Sequence, residues 1–127
     1  MPHRGPHTVT VPGTAKGWEA TLSKLGELSF SETLRPAIKY TTEEFPVTEV
    51  VEQQWKHAEE IFSEDHAREA YLLEDEVPET GDVIILPKLA ESLEAIASRG
   101  ADVVYEGYIG EADRKSTRLN SSHYRTS

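Results

Sequence analysis

Histidines are the residues in this sequence whose spacing bears first on metal binding or proton transfer. His57 and His66 lie on different predicted helices, whereas one helix presents two imidazoles to a metal ion at a spacing of i, i+4. His3 and His7 have that spacing, but the Pro/Gly segment around them contains no helix to align them. We therefore interpret His57 and His66 as solvated helix histidines, expect no metal at His3 and His7, and predict neither a metal site nor a cofactor.

Clusters of carboxylates are the next candidates, because two carboxylates can act as a general acid and a general base. Such a pair needs a pocket that separates the two pKa values. The clusters Glu43-Glu44, Glu59-Glu60 and Glu74-Asp75-Glu76 fall on predicted solvent-facing helix surfaces or in loops. We interpret these clusters as a solvated surface.

Glycines and threonines were considered for phosphate binding and nucleophilic catalysis. Gly13 and Gly17 lack the further glycine of a dinucleotide fingerprint, and the sequence contains no Gly-Lys-Ser/Thr phosphate loop. Thr41 and Thr42 lie near a predicted helix end, followed by two glutamates, without a context for chain cleavage. We reject them as nucleophiles, and we predict no catalytic and no substrate-binding residue in this chain.

Composition excludes several classes of partner. The chain carries 23 Asp and Glu against 13 Lys and Arg, a net charge of −10, so it repels phosphate backbones and nucleic acid is not an expected partner. No apolar run approaches the roughly 20 residues of a membrane helix. The absence of cysteine excludes disulfides and thiol chemistry but leaves the cellular compartment unknown.

Apolar periodicity predicts a mostly α chain with four main helices and two or three short strands. Trp18, Leu22 and Leu25 share one helical face, and Ser29 with Glu32 forms a capping box that begins the next helix. The main helices are predicted at residues 14–25, 30–43, 48–62 and 87–99. Shorter helices are predicted at 63–70 and 101–105, and short strands at 8–11 and 83–85.

The linear order of short motifs is more informative than any single residue. It resembles the large-subunit region of γ-glutamyltranspeptidases and their glutathione hydrolase-like relatives over about residues 8–112. The matching positions are Val9-Thr10-Val11-Pro12-Gly13-Thr14, Gly17-Trp18-Glu19, Leu25-Gly26, Leu34, Pro36-Ala37-Ile38, Glu43-Glu44-Phe45-Pro46-Val47, Pro78, Gly81-Asp82, Leu89-Ala90, Leu93, Ile96-Ala97, Gly100-Ala101-Asp102, Tyr105 and Gly107.

Residue 44 departs from the family pattern, which usually has glycine before Phe-Pro-Val. Glycine there would act as a left-handed helix C-cap, a conformation in which glutamate carries a modest steric penalty. Because Glu44 occupies this position, we expect the end of this helix to be built differently.

The resemblance implies a fragment of an N-terminal-nucleophile hydrolase with an αββα sandwich. In such enzymes the precursor cuts itself, and the exposed threonine takes a γ-glutamyl group from glutathione or a similar amide and passes it to water or an acceptor amine. The resemblance places the substrate-binding arginine before Met1 and the threonine beyond Ala112. The expected partner is therefore the remainder of the same precursor, and the fragment is expected to be inactive alone.

The composition changes at Asp113. From Asp113 to Ser127 the chain has four cationic residues and one acidic residue, with Leu119 as the one aliphatic side chain. The run from Asp113 to His123 resembles the translation of a common sequencing adapter, so Asn120-Ser121-Ser122 is assigned no function. We predict that residues 113–127 are a disordered, artefactual tail, that the parent reading frame continued, and that Met1 is an internal methionine.

Two function classes remain open at this point. The first is a fragment of a γ-glutamyl transferase or hydrolase, with residues 1–112 as a partial large-subunit segment. The alternative is an acidic helical module that binds another protein, which the continuous amphipathic pattern also allows. A threonine nucleophile encoded downstream in the gene would discriminate in favour of the first class.

Overall fold

The structure is a computed structural model that describes residues 12–58 and 65–123, with side chains described for 12–57 and 66–115. Within these ranges the chain forms seven helices and two short strands. In chain order they are α1 (Thr14–Leu25), α2 (Phe30–Glu43), β1 (Phe45–Pro46), α3 (Glu49–Ala58), α4 (Asp65–Tyr71), β2 (Val83–Ile84), α5 (Pro87–Arg99), α6 (Asp102–Tyr105) and α7 (Tyr108–His123).

The predicted mostly helical fold class is confirmed. Three of the four main helices have the predicted bounds, and the strand predicted at 83–85 is present as β2. The third helix begins at Glu49, after Thr48, whose hydroxyl accepts a hydrogen bond from the Val51 amide at 3.4 Å. The end of that helix at 59–62 and the strand predicted at 8–11 lie outside the described residues. No helix of the described chain is long and apolar enough to cross a membrane.

The start of α2 is set by local sequence. Ser29 and Glu32 form the predicted capping box: the Ser29 hydroxyl accepts from the Glu32 amide at 3.2 Å, and the Glu32 carboxylate accepts from the Ser29 amide at 2.9 Å. The helix runs through Pro36 as one element rather than restarting there. Pro36 has no N–H and so forgoes one main-chain hydrogen bond of the helix.

The end of α2 keeps the conformation of a glycine cap. Glu44 has a φ of +103°, the half of backbone space that glycine enters without steric conflict. The expectation that this helix end is built differently is therefore wrong. A glutamate holds the positive φ that the turn into β1 requires.

The chain divides into two compact units, one formed by residues 35–91 and the other by 1–34 with 92–127. In the first unit β1 and β2 pair antiparallel, with Phe45 opposite Ile84. The Val47 amide donates to the Asp82 carbonyl at 2.8 Å and extends the pairing beyond the strands. Val47 and Ile84 are buried in the core of this unit.

In the second unit α6 and α7 pack closely, and the reason is visible at Gly110. A Cβ atom added there would lie 2.6 Å from the Val104 carbonyl oxygen and 2.8 Å from that of Tyr105. Only glycine allows the two backbones to approach so closely. Ala15, Ala101 and Val103 are buried in the core of the same unit.

The helix α7 continues to His123, into the segment predicted to be a disordered tail. Once a first turn is formed, each further residue adds one hydrogen bond, so a helix propagates without an apolar face of its own. The segment contains no proline that would end the helix. The origin of this segment stays a prediction, and residues 124–127 lie outside the described residues.

Candidate functional site

The two histidines whose side chains are described, His57 and His66, lie on different helices. His57 lies on α3, and its Nδ1 is 2.7 Å from the Gln53 carbonyl oxygen, so that ring nitrogen donates within its own helix. His66 is exposed on α4. Among residues 12–58 and 65–123 no group of three His, Asp or Glu side chains is arranged to hold a metal ion. His3 and His7 lie outside the described residues.

The two threonines considered as nucleophiles are held inside α2. The Thr41 hydroxyl donates to the carbonyls of Ala37 and Ile38 at 3.0 and 2.8 Å, and Thr41 is buried. The Thr42 hydroxyl donates to the Ile38 carbonyl at 2.9 Å. Both hydroxyls therefore donate within their own helix. The rejection of the two threonines as nucleophiles stays a prediction.

The predicted solvated carboxylates are exposed wherever they are described. Glu43 and Glu44 are exposed at the end of α2, and the cluster at 74–76 is exposed in the turn after α4. Lys39 lies 3.5 Å from Glu43, and Arg68 lies 3.1 Å from Asp75. Glu59 and Glu60 lie outside the described residues.

Among the described residues, Glu52 in the first turn of α3 is the carboxylate whose pKa is lowered most. Glu52 accepts hydrogen bonds from the Lys56 ammonium at 2.5 Å, from the Thr80 amide at 2.8 Å and from the Thr80 hydroxyl. Lys56 first, and then Thr80, lower the pKa of Glu52 to about 2. A carboxylate held ionised in this way cannot act as a proton donor near neutral pH. Its role is to join α3 to the loop before β2.

A second carboxylate, that of Glu19, joins two elements of the other unit. Glu19 on α1 accepts a hydrogen bond from the Ala101 amide at 3.1 Å, just before α6. That bond, followed by the contact with Lys16, lowers the pKa of Glu19 below its usual value. Gly100 has a φ of +81°, and a Cβ atom on it would lie 2.7 Å from the Glu19 carboxylate. Sequence reasoning missed both carboxylate contacts because their partners are distant along the chain.

Among the described residues each unit has an open apolar groove. The first holds about 290 Å³ and is lined by Trp18, Thr21, Leu22, Phe30, Thr33 and Leu34. The second holds about 300 Å³ beside β2, with Trp55, Tyr71, Leu73, Val83 and Ile85 among its lining residues. The Trp55 and Tyr71 rings meet edge to face at 5.7 Å. Each groove is a surface for packing, since neither contains a set of converging polar groups that would orient a reacting ligand.

Comparison with known proteins identifies the class. The family model described as gamma-glutamyltranspeptidase matches residues 1–120. The glutathione hydrolase proenzyme of Bacillus subtilis is 34% identical over 99 residues, which cover 78% of this chain and 17% of that protein. The glutathione hydrolase-like YwrD proenzyme of the same organism is 30% identical over 97% of this chain and 24% of its own length.

The crystal structure of Helicobacter pylori γ-glutamyltranspeptidase superimposes with a TM-score of 0.89 at 27% identity. The superposition covers 94% of this chain and 35% of that one. The chain belongs to the γ-glutamyltranspeptidase family, and its helices are a fragment of that fold. It spans about a fifth of the length of the curated relatives it matches.

Proposed function

We propose that this chain is a large-subunit segment of a γ-glutamyltransferase or glutathione hydrolase precursor. The complete enzyme moves a γ-glutamyl group from glutathione-like amides to water or to an acceptor amine. The observation that carries the proposal is the superposition of 94% of the chain on the Helicobacter pylori enzyme. The matched Bacillus subtilis proteins are proenzymes, which supports the remainder of one precursor as the partner of this segment.

The segment contributes scaffold rather than reacting groups. Two of its carboxylates accept hydrogen bonds that join elements of the chain to one another. Glu52 accepts from Thr80, and Glu19 accepts from Ala101. The hydroxyls of Thr41 and Thr42 donate hydrogen bonds to main-chain carbonyls within α2. The 127-residue chain by itself is therefore expected to release no product from a γ-glutamyl anilide, and turnover that tracks the purified chain would contradict this proposal.

The positive test is a chimera. In this chimera, residues 12–112 of the chain replace the superimposed segment of the Helicobacter pylori enzyme. We expect its precursor to cleave into two subunits and to hydrolyse a γ-glutamyl anilide. The matched control carries Val47→Asp, which puts a charge in the core of the unit and should leave the precursor uncleaved. An uncleaved precursor with the unaltered segment would contradict the proposed function.

The second candidate is an acidic helical module that binds another protein. It is favoured by the large apolar side chains that remain exposed, Trp18 at 44% and Tyr40 at 62% among them. The chimera separates the two functions, because a free-standing module has no reason to support cleavage of the precursor.

A further inference from the structure

The outer edge of β2 is open. The Asp82 carbonyl accepts from Val47, and the Leu86 amide donates to the Thr41 carbonyl at 3.0 Å. Main-chain groups alternate in direction along a strand. Val83 and Ile85 lie between Asp82 and Leu86, so their N–H and C=O groups point away from β1. Among the described residues the sheet has only these two strands. No other described residue pairs with the outer edge of β2.

The outer edge of β1 is closed by a proline. Val47 faces β2, since its amide and carbonyl bond to Asp82 and Gly81. By the same alternation Pro46, opposite Val83, faces outward. Proline offers no N–H to a neighbouring strand and is typical of a protected edge. The sheet can therefore grow past β2 and not past β1.

Apolar side chains accompany the open edge. Val83 and Ile85 are 50% and 53% exposed, whereas Ile84 between them is buried. They line the groove that also contains Tyr71 and Leu73. Glu69 is the one charged residue among the described lining residues, and Lys88 lies 3.1 Å from its carboxylate. An edge of this kind pairs with an extended apolar strand rather than with a charged one.

We infer that an extended apolar segment from the remainder of the enzyme precursor pairs with the edge of β2 as a third strand. This inference rests on the proposed function. The chain covers 35% of the Helicobacter pylori chain on which it superimposes. Most of such an enzyme therefore lies outside this segment and can supply the third strand. Main-chain bonds to Val83 and Ile85 fix the register, and the groove receives alternate side chains of the added strand.

Hydrogen exchange read residue by residue tests the pairing. In the 127-residue chain the Val83 and Ile85 amides should exchange without protection. In the chimera they should slow by ~100-fold or more, as expected for amides that open only with a folded unit. Fast exchange of both amides in a cleaved, active chimera would overturn the inference and leave the proposed function standing. A chimera that stays uncleaved contradicts the proposed function, and the inference falls with it.

A proline substitution gives the second readout. Val83→Pro removes the outward N–H while leaving the bonds between β1 and β2 intact, so it should abolish cleavage of the chimera's precursor. Val83→Thr keeps both the N–H and the strand preference and should cleave normally. Normal cleavage with Val83→Pro would overturn the inference. Protection of Val83 that rises with concentration in the 127-residue chain would assign the edge to a second copy and would also overturn it.

Discussion

The Glu52 carboxylate accepts a hydrogen bond from the main-chain N–H of Thr80 at 2.8 Å, which joins the first turn of α3 to a loop 28 residues further along the chain. The Thr80 hydroxyl and the Lys56 ammonium bind the same carboxylate. Close by, the Gly81 amide donates to the Val47 carbonyl at 2.9 Å. The contact therefore holds the loop against the residue that follows β1.

This contact predicts a specific pH dependence. The pKa of Glu52 is lowered from 4.5 to about 2 in the fold, so its contribution to stability is present above about pH 4.5 and is lost as the pH falls toward 2. In the chimera, protection of the Thr80 amide from hydrogen exchange, corrected for the intrinsic rate, should fall across that range. Glu52→Gln should show low protection throughout, because it removes the charge that the donors bind.

Glu49→Gln is the matched control, since Glu49 occupies the same exposed first turn of α3 and contacts Gln53 rather than the loop. It should keep the wild-type profile at Thr80. An unchanged profile with Glu52→Gln would show that the loop is held by other contacts.

The helices could be predicted because their signals are local. The capping box of Ser29 and Glu32 lies at the helix end that it sets. The contacts of Glu52 and Glu19 could not be predicted, because nothing local distinguishes these glutamates from the solvated ones. The positive φ of Glu44 shows a third case, in which the turn geometry prevails over the preference of the residue.

Glu44→Gly should stabilise the turn between α2 and β1. Glycine relieves roughly 1–2 kcal/mol of steric conflict at positive φ. Its greater freedom in the unfolded chain lowers the free energy of unfolding by about 0.4–1 kcal/mol and offsets part of this gain. A net gain of roughly 0.5–1 kcal/mol corresponds to about two- to five-fold stronger protection of the Val47 amide in the chimera. Glu43→Gly, one residue earlier and within α2, should weaken protection, since glycine in a helix costs about 0.5–1 kcal/mol. Equal effects of the two substitutions would contradict strain at Glu44.

Gly110→Ala should separate α6 from α7. The added Cβ would meet two backbone carbonyl oxygens at 2.6 and 2.8 Å, and backbone atoms cannot rotate away as a side chain can. Overpacking costs about 1–3 kcal/mol and alanine's helix propensity returns about 1 kcal/mol, so we expect a net loss of up to about 2 kcal/mol. Exchange of the Glu111 amide, which donates to the Gly107 carbonyl at 3.1 Å, reports the change in the chimera.

Gly17→Ala is the control for this substitution. Gly17 lies in α1, and a Cβ atom there would meet nothing within 4 Å, so alanine should strengthen that helix by about 1 kcal/mol. A stabilising effect at both positions would mean that α6 and α7 do not approach as closely as the structure has them.

The isolated chain is predicted to lack a sharp unfolding transition. Trp18 and Leu89 are each 44% exposed, and side chains of this size contribute about 1.5–3 kcal/mol when fully buried. A folded domain has only about 5–15 kcal/mol of stability, so several such losses exhaust it. We expect broad thermal unfolding and binding of a hydrophobic dye by the 127-residue chain. A steep cooperative transition without dye binding would contradict the prediction.

Removal of residues 113–127 should leave the rest of the chain unchanged. Residues 113–115 are exposed, and Leu119 is the one aliphatic residue of the segment, so little apolar surface is available to complete a core. The match to the family model extends to residue 120, past the boundary predicted at Ala112, and truncation tests which limit holds. Residues 1–112 and the full chain should give superimposable thermal unfolding curves. A transition present only in the full chain would contradict the artefactual origin of the tail, because a translated adapter has no reason to stabilise the helices before it.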